Sequence, residues 1–177
     1  MSYPILDPTG AGATTAKPRA PRAHRRDNLR GATIGLLVNT KQNAAPFLDE
    51  VGRLLITRYG AKAAITKTKV NFAAPAPDEL VKEMAASCDV IVTGIGDCGS
   101  CSASAVADGI VFEAAGLPAA AICSDAFNVT ADAMADLRGA PGYRYATTPH
   151  PVAVLTPDQV RERAARVLGD VVTLLTT

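Results

Sequence analysis

Apolar and polar positions follow two rhythms along this chain, and the switches between them outline alternating strands and helices. Residues 33–38 form a short apolar run, with polar Asn39, Thr40 and Lys41 behind it. Such a run predicts a strand buried on both faces. Phe47, Val51, Leu54, Leu55 and Tyr59 then recur at helical spacing from residue 44 onward, and Gly60 ends that helix. Residues 63–66 predict a weaker second strand. Pro77, Asp78 and Glu79 open a helix through Ala86, with Pro in the first turn and the acids beside the positive helix end. Residues 89–93 are the clearest strand. Residues 102–115 read as a helix stopped by Gly116, with Pro118 beyond. A fourth strand comes next at 119–123, then a helix at 129–138 and a fifth strand at 143–147. Thr156, Pro157 and Asp158 cap a last helix that runs to about Leu175.

Strands alternating with helices predict an α/β domain: a mainly parallel sheet of about five strands with helices on both faces, Rossmann-like or flavodoxin-like, and right-handed crossovers. The order of the strands is not legible. The chain has 177 residues, 48% hydrophobic and 20% charged, which fits one globular domain. A formal charge of +1 supplies no global field for nucleic acid or membrane. No stretch approaches the ~20 apolar residues of a membrane span. No basic leader followed by an apolar segment stands at the N-terminus, so a cytoplasmic location is expected.

Residues 1–31 differ from the rest. They are rich in Pro, Gly, Ala and Thr, and Lys17, Arg19, Arg22, Arg25, Arg26 and Arg30 are clustered there with Asp27. This predicts a flexible basic arm ahead of a single domain at 32–177. The arm is a solvated leader, a clamp for an anion, or a contact that builds a homo-oligomer. His24 is expected at the surface. The stretch from Leu6 to Gly10 reads as an ordered turn inside the arm.

In an open parallel sheet, sites lie at the carboxyl ends of the strands. The segments there are Asn39 to Asn43, Thr66 to Lys69, Gly94 to Ser102, Ser124 with Asp125, and Thr148 to Pro151. One rim would therefore gather two Cys, His150, two Asp and several Lys. Cys98, Gly99, Ser100 and Cys101 form a C-x-x-C motif between a strand and a helix. Ser100 or Ser102 is placed to cap that helix. The first helical turn then presents unpaired N–H groups and the positive end of the dipole to the sulfurs, which lowers a thiol pKa. Cys88 and Cys123 read instead as small core hydrophobes.

Three chemistries compete for this loop. The first is dithiol/disulfide exchange, with Cys98 attacking and Cys101 resolving. The second is a metal held by Cys98 and Cys101 with Cys123 or His150; no second C-x-x-C and no His pair at ligand spacing supports it. The third is dinucleotide binding, because Gly94, Gly96 and Gly99 spell G-x-G-x-x-G and Asp125 lies beyond the next strand. Asp97 would then set a negative charge beside a pyrophosphate.

At this loop the chain resembles the bacterial family named for a U-G-S-C motif, in which U is selenocysteine and Cys98 to Cys101 would be the cysteine form. The likeness extends to Leu6–Gly10, to Gly35–Ala44, to Arg58-Tyr59-Gly60, to Gly96–Ser102, to Glu113 with Gly116 and Pro118, and to His150-Pro151. It implies a reactive sulfur at Cys98, since selenium is chosen for nucleophilicity and reversible oxidation. The activity it implies is otherwise undefined.

Among the remaining polar residues, Lys41, Asn39, Asn43 and Lys69 or Lys67 are candidates to hold an anionic substrate near Cys98, as are Ser100, Ser102 and Asp125. His150, between two prolines, is the candidate general acid/base. Asp97 takes part in proton transfer to the substrate, orients His150 or helps to cap the helix. The expectation is a thiol-dependent oxidoreductase acting on a small anionic molecule. No resident cofactor is expected, and an external thiol or a reductase partner protein would be the electron donor. A redox-neutral Cys lyase, isomerase or hydrolase remains open, and so does a redox sensor or a subunit of a larger reductase.

Overall fold

The computed structural model describes residues 20–177. The expected turn at Leu6–Gly10 and residues 1–19 of the arm lie outside them. Five strands form one all-parallel sheet: β1 (Thr33–Val38), β2 (Ala63–Thr68), β3 (Val90–Gly96), β4 (Ala119–Ser124) and β5 (Ala146–Thr148). Their order is β2-β1-β3-β4-β5, the doubly wound order of flavodoxin-like sheets. The helices between them are α1 (Ala44–Tyr59), α2 (Asp78–Ser87), α3 (Gly99–Ala114), α4 (Asn128–Leu137) and α5 (Pro157–Thr176).

The sheet is apolar on both faces because its central strands are continuous hydrophobic runs. Ile34, Leu36, Val90, Val92 and Ile122 pack under Phe47, Val51 and Leu55 of α1 and Val167 and Val171 of α5. Leu37 and Ile91 face Met84 of α2 and Phe112 of α3, while Ala121 and Cys123 face Val106 of α3 and Ala131 of α4. The result is three layers. Thr156 caps α5 with a reciprocal bond to Gln159, a capping box that fixes where this helix starts.

The chain winds outward from the middle in two directions. β1 pairs with both β2 and β3, so the connections before and after them diverge. The carboxyl ends of β1 and β3 flank the resulting crevice, which is where ligands sit in sheets of this order.

Residues 20–31 depart from the expected arm, for they are packed on the domain. Leu29 is 1% exposed. Ala20 donates its N–H to the Gly139 carbonyl. Arg25 and Arg26 find carboxylate partners in Glu113 and Asp89, far along the chain. His24 is exposed, as expected. Among strands, β5 is shorter than the expected 143–147, because Tyr143 and Tyr145 serve as covers instead. Their hydroxyls donate to the carbonyl of Ala119 and to Asp132. Among the described residues, no helix is long and apolar enough to cross a membrane.

Candidate active site

Where β3 ends, its ladder with β4 slips. Gly94 pairs with Ile122 and Gly96 with Cys123, leaving Ile95 as an extra residue. Such a bulge bends the strand and re-aims the residues beyond it, here Asp97 and Cys98. Gly96 has no alternative residue: an added Cβ would lie 2.7 Å from Ser102. The Gly96 carbonyl accepts hydrogen bonds from the hydroxyls of Ser102 (2.9 Å) and Ser124 (3.0 Å), which locks the turn between sheet and helix. The glycines of the G-x-G-x-x-G pattern thus include one required by packing.

Cys98 itself caps α3. Its sulfur accepts the Cys101 N–H at 3.3 Å, so the expected Ser100 or Ser102 cap is corrected. Ser102 is turned inward to Gly96, and α3 accordingly starts at Gly99 rather than 102. Cys98 and Cys101 are joined as a disulfide with their Cα atoms 5.1 Å apart. The two sulfurs differ in access: Cys98 is half-buried and Cys101 is 0% exposed. Ser100, exposed, holds its hydroxyl 3.5 Å from the Cys98 sulfur. Reduced, a Cys98 thiolate would sit on the same N–H and on the positive helix end, both of which favour the anion.

His150 stands over the residue next to Cys98. Its Nδ1 lies 3.0 Å from Asp97 Oδ1 and 3.3 Å from the Ser124 hydroxyl. Its backbone N–H donates to Asp125 at 3.0 Å, and its ring meets Phe127 edge-on at 5.2 Å. Asp97 is 7% exposed and accepts the backbone N–H groups of Val152 and Ala153 as well. Asp97 is therefore placed to orient His150, and the expected role as a helix cap is corrected, since Cys98 takes it. A carboxylate on Nδ1 favours the tautomer with hydrogen there and leaves Nε2 as the acceptor. Nε2 has no hydrogen-bond partner among the described residues, and the His150 side chain is 37% exposed.

The other candidates divide. Asn39 is buried; its amide donates to the Ile95 carbonyl at 2.8 Å and its oxygen accepts the Lys41 N–H. It supports the bulge rather than facing solvent. Asn43 donates to the carbonyls of Val152, Ala153 and Leu155. Lys69 is the clear departure. It is 3% exposed, and its ammonium donates to the Ala74 carbonyl, Ser104 and Asp108. With its three protons engaged, Lys69 ties the β2–α2 connection to α3 and has none left for a substrate. Burial pushes the Asp108 carboxyl up, against the pull of Lys69. Lys67 pairs with Glu83 on the surface. Lys41 is half-buried, 5.8 Å above the Phe72 ring, within cation–π range, and remains a candidate for an anion.

Cys123 is fully buried, and desolvation pushes its thiol up to about 12. Cys88, half-buried, is also pushed up by desolvation. A raised pKa makes both thiols poorer nucleophiles. No group of three His, Cys, Asp or Glu that could hold a metal occurs among the described residues. Phe127 is a contact of His150 that the sequence pattern does not single out, and Ser124 is placed on the rim by that pattern without a role. Their one signal is position, at and just past the carboxyl end of β4.

A family model described as the UGSC family matches residues 4–177. No curated protein matches the chain. A solved structure, the crystal structure of an ABC transporter permease from the Pseudomonas fluorescens group, matches 80% of this chain at 16% identity with a TM-score of 0.36. The alignment spans 32% of that protein's length, and a likeness this low carries no argument.

Proposed function

The chain belongs to the UGSC family, and from that premise we propose a thiol-dependent oxidoreductase in which Cys98 attacks and Cys101 resolves. The observation that carries this reading is the unequal exposure of two sulfurs that are within bonding reach. Cys98 is half-buried at the start of α3, and Cys101 lies behind it with no exposed surface. An incoming molecule meets Cys98 first.

For a substrate with a reducible S–S bond, the Cys98 thiolate attacks one sulfur of R–S–S–R′, forming the Cys98–S–S–R bond and expelling R′S⁻. The Cys98 proton, taken up by His150 at Nε2 as the thiolate forms, passes to R′S⁻. The Cys101 thiol gives up its proton and attacks the Cys98 sulfur, closing the 98–101 disulfide, and the expelled RS⁻ takes up that proton. Two electrons and two protons pass from the dithiol to the substrate. An external dithiol or a reductase protein of the reducing cytoplasm returns them. His150 suits the proton transfer because Asp97 holds Nδ1 and leaves Nε2 open. The positive N-terminal end of α3 and the ammonium of Lys41 favour a small anionic substrate.

Alkylation of the reduced protein with iodoacetamide across pH, read by mass spectrometry at each Cys, tests the proposal. Cys98 is expected to titrate below the free-thiol value of ~8.5. A Cys98 that titrates no lower refutes activation. A Cys98 that titrates low yet shows no turnover of any small disulfide would make the pair a sensor instead.

A further inference from the structure

We propose that Asn43 is a positioning residue for His150, acting through the backbone of the loop that carries it. The inference rests on the proposed function, in which His150 exchanges a proton at Cys98. Asn43 sits at the N-cap of α1 in the left-handed region, at φ 65°. An Asn in that place ordinarily turns its oxygen onto the helix N–H groups. This one makes no such bond. Its amide nitrogen reaches across to three carbonyls instead: Val152 at 3.0 Å, Ala153 at 3.2 Å and Leu155 at 2.9 Å.

The same stretch is held from its other side. Asp97 accepts the N–H of Val152 and of Ala153 at 2.8–3.0 Å. Both faces of this stretch are thus fixed, donors to Asp97 and acceptors to Asn43. The clasp joins three loops, those after β1, β3 and β5. It ends two residues from His150, whose ring sits on that same Asp97. Asp97 touches the ring, so replacing it would mix orientation with electrostatics. Asn43 has hydrogen bonds to neither ring nor sulfur, so it isolates orientation. It stands at the topological crevice not to hold a ligand but to hold the imidazole's loop in place. A loop released by about 1 Å costs a proton-transfer step up to ~100-fold.

The test uses N43G and N43D in the full chain. Gly accepts the left-handed backbone, so N43G loses the clasp and keeps the start of α1. N43D keeps the shape and sets a carboxylate against three carbonyls. Two readouts separate the claims. The first is the His150 ring in 15N NMR, its tautomer and its titration. The second is the pH profile of Cys98 alkylation, with H150Q as reference. The expected result is a mixed tautomer and an alkylation rate at pH 7 at least ~10-fold lower in both variants, with thermal unfolding of N43G still cooperative. Wild-type ring spectra and profiles in both variants overturn the inference. A ring spectrum that shifts in the Asn43 variants, while H150Q alkylates like wild type, upholds the positioning and overturns the proton-transfer role of His150. Should N43G fail to fold, N43S, which keeps a small polar side chain too short to span the three carbonyls, is read in its place against the same two outcomes.

Discussion

The two ends of α3 make opposite use of the same kinds of group. At the C-terminal end the carboxylate of Glu113 is fully matched. It accepts both terminal nitrogens of Arg25, the Ala23 N–H and the Ala119 N–H. One side chain thus fastens the packed N-terminal strap to the start of β4, and nothing reactive is left over. At the N-terminal end Asp97 is matched just as fully, by two backbone N–H groups and an imidazole. There, however, the held groups end in two side chains that reach solvent, Cys98 and His150. Saturation at one end serves the fold. Near-saturation at the other aims what remains. A cleft beside the strap, lined by His24, Arg25, Arg26 and Asp89, has Arg25 and Arg26 already paired, so a cleft by itself is no sign of chemistry here.

The sharpest way to break this contrast is to remove Glu113. With the Glu113 side chain 1% and the Arg25 side chain 13% exposed, E113A strands a nearly buried guanidinium and two N–H groups. The expected cost is about 3–5 kcal/mol in urea unfolding. The alkylation profile of Cys98 in the folded protein should not move, because that end of α3 holds itself. A Cys98 that loses reactivity in folded E113A would show that the two ends are coupled.

A smaller effect compares two sulfurs. Cys123 keeps its proton in the folded protein up to about pH 12, while an unfolded thiol ionises near 9.0. Between those values the unfolded chain has lost a proton that the folded chain retains. Stability therefore falls as pH rises from about 9, by up to ~1.4 kcal/mol per pH unit. Buried Tyr143 is pushed up too, by desolvation, and adds to the fall above the ordinary tyrosine value of 10.0. Urea unfolding at pH 8, 9 and 10 measures the slope, and C123A should flatten its first unit. An unchanged slope in C123A would remove Cys123 as the cause.

Much of the fold is legible in the sequence because most strands are apolar runs and most helices periodic ones. These are local signals. The rim is legible for the same reason, since strand ends locate it. The features that escape such a reading depend on partners remote in sequence. Lys69 looks like any lysine after a strand, and only Asp108, 39 residues on, makes it a buried tie. The arginines of residues 20–31 look like a solvated arm until Glu113 is placed beneath Arg25. Asn43 looks like a ligand for an anion until the loop after β5 closes over it. The cap is misplaced for a different reason: a Ser is the usual choice, and here a sulfur takes the role. C-x-x-C at a helix start points to the cysteine pair, and the family resemblance points to Cys98 within it, but the burial of Cys101 depends on packing that no local signal carries.

That difference between the sulfurs admits a direct measurement. The C101S and C98S variants are reduced and offered a small aromatic disulfide, and adducts are located by mass spectrometry. A stable mixed disulfide is expected on Cys98 in C101S. No adduct is expected on Cys101 in folded C98S, since Cys101 is 0% exposed. An adduct that forms on Cys101 as fast as on Cys98, or on neither, would contradict Cys98 as the attacking thiol.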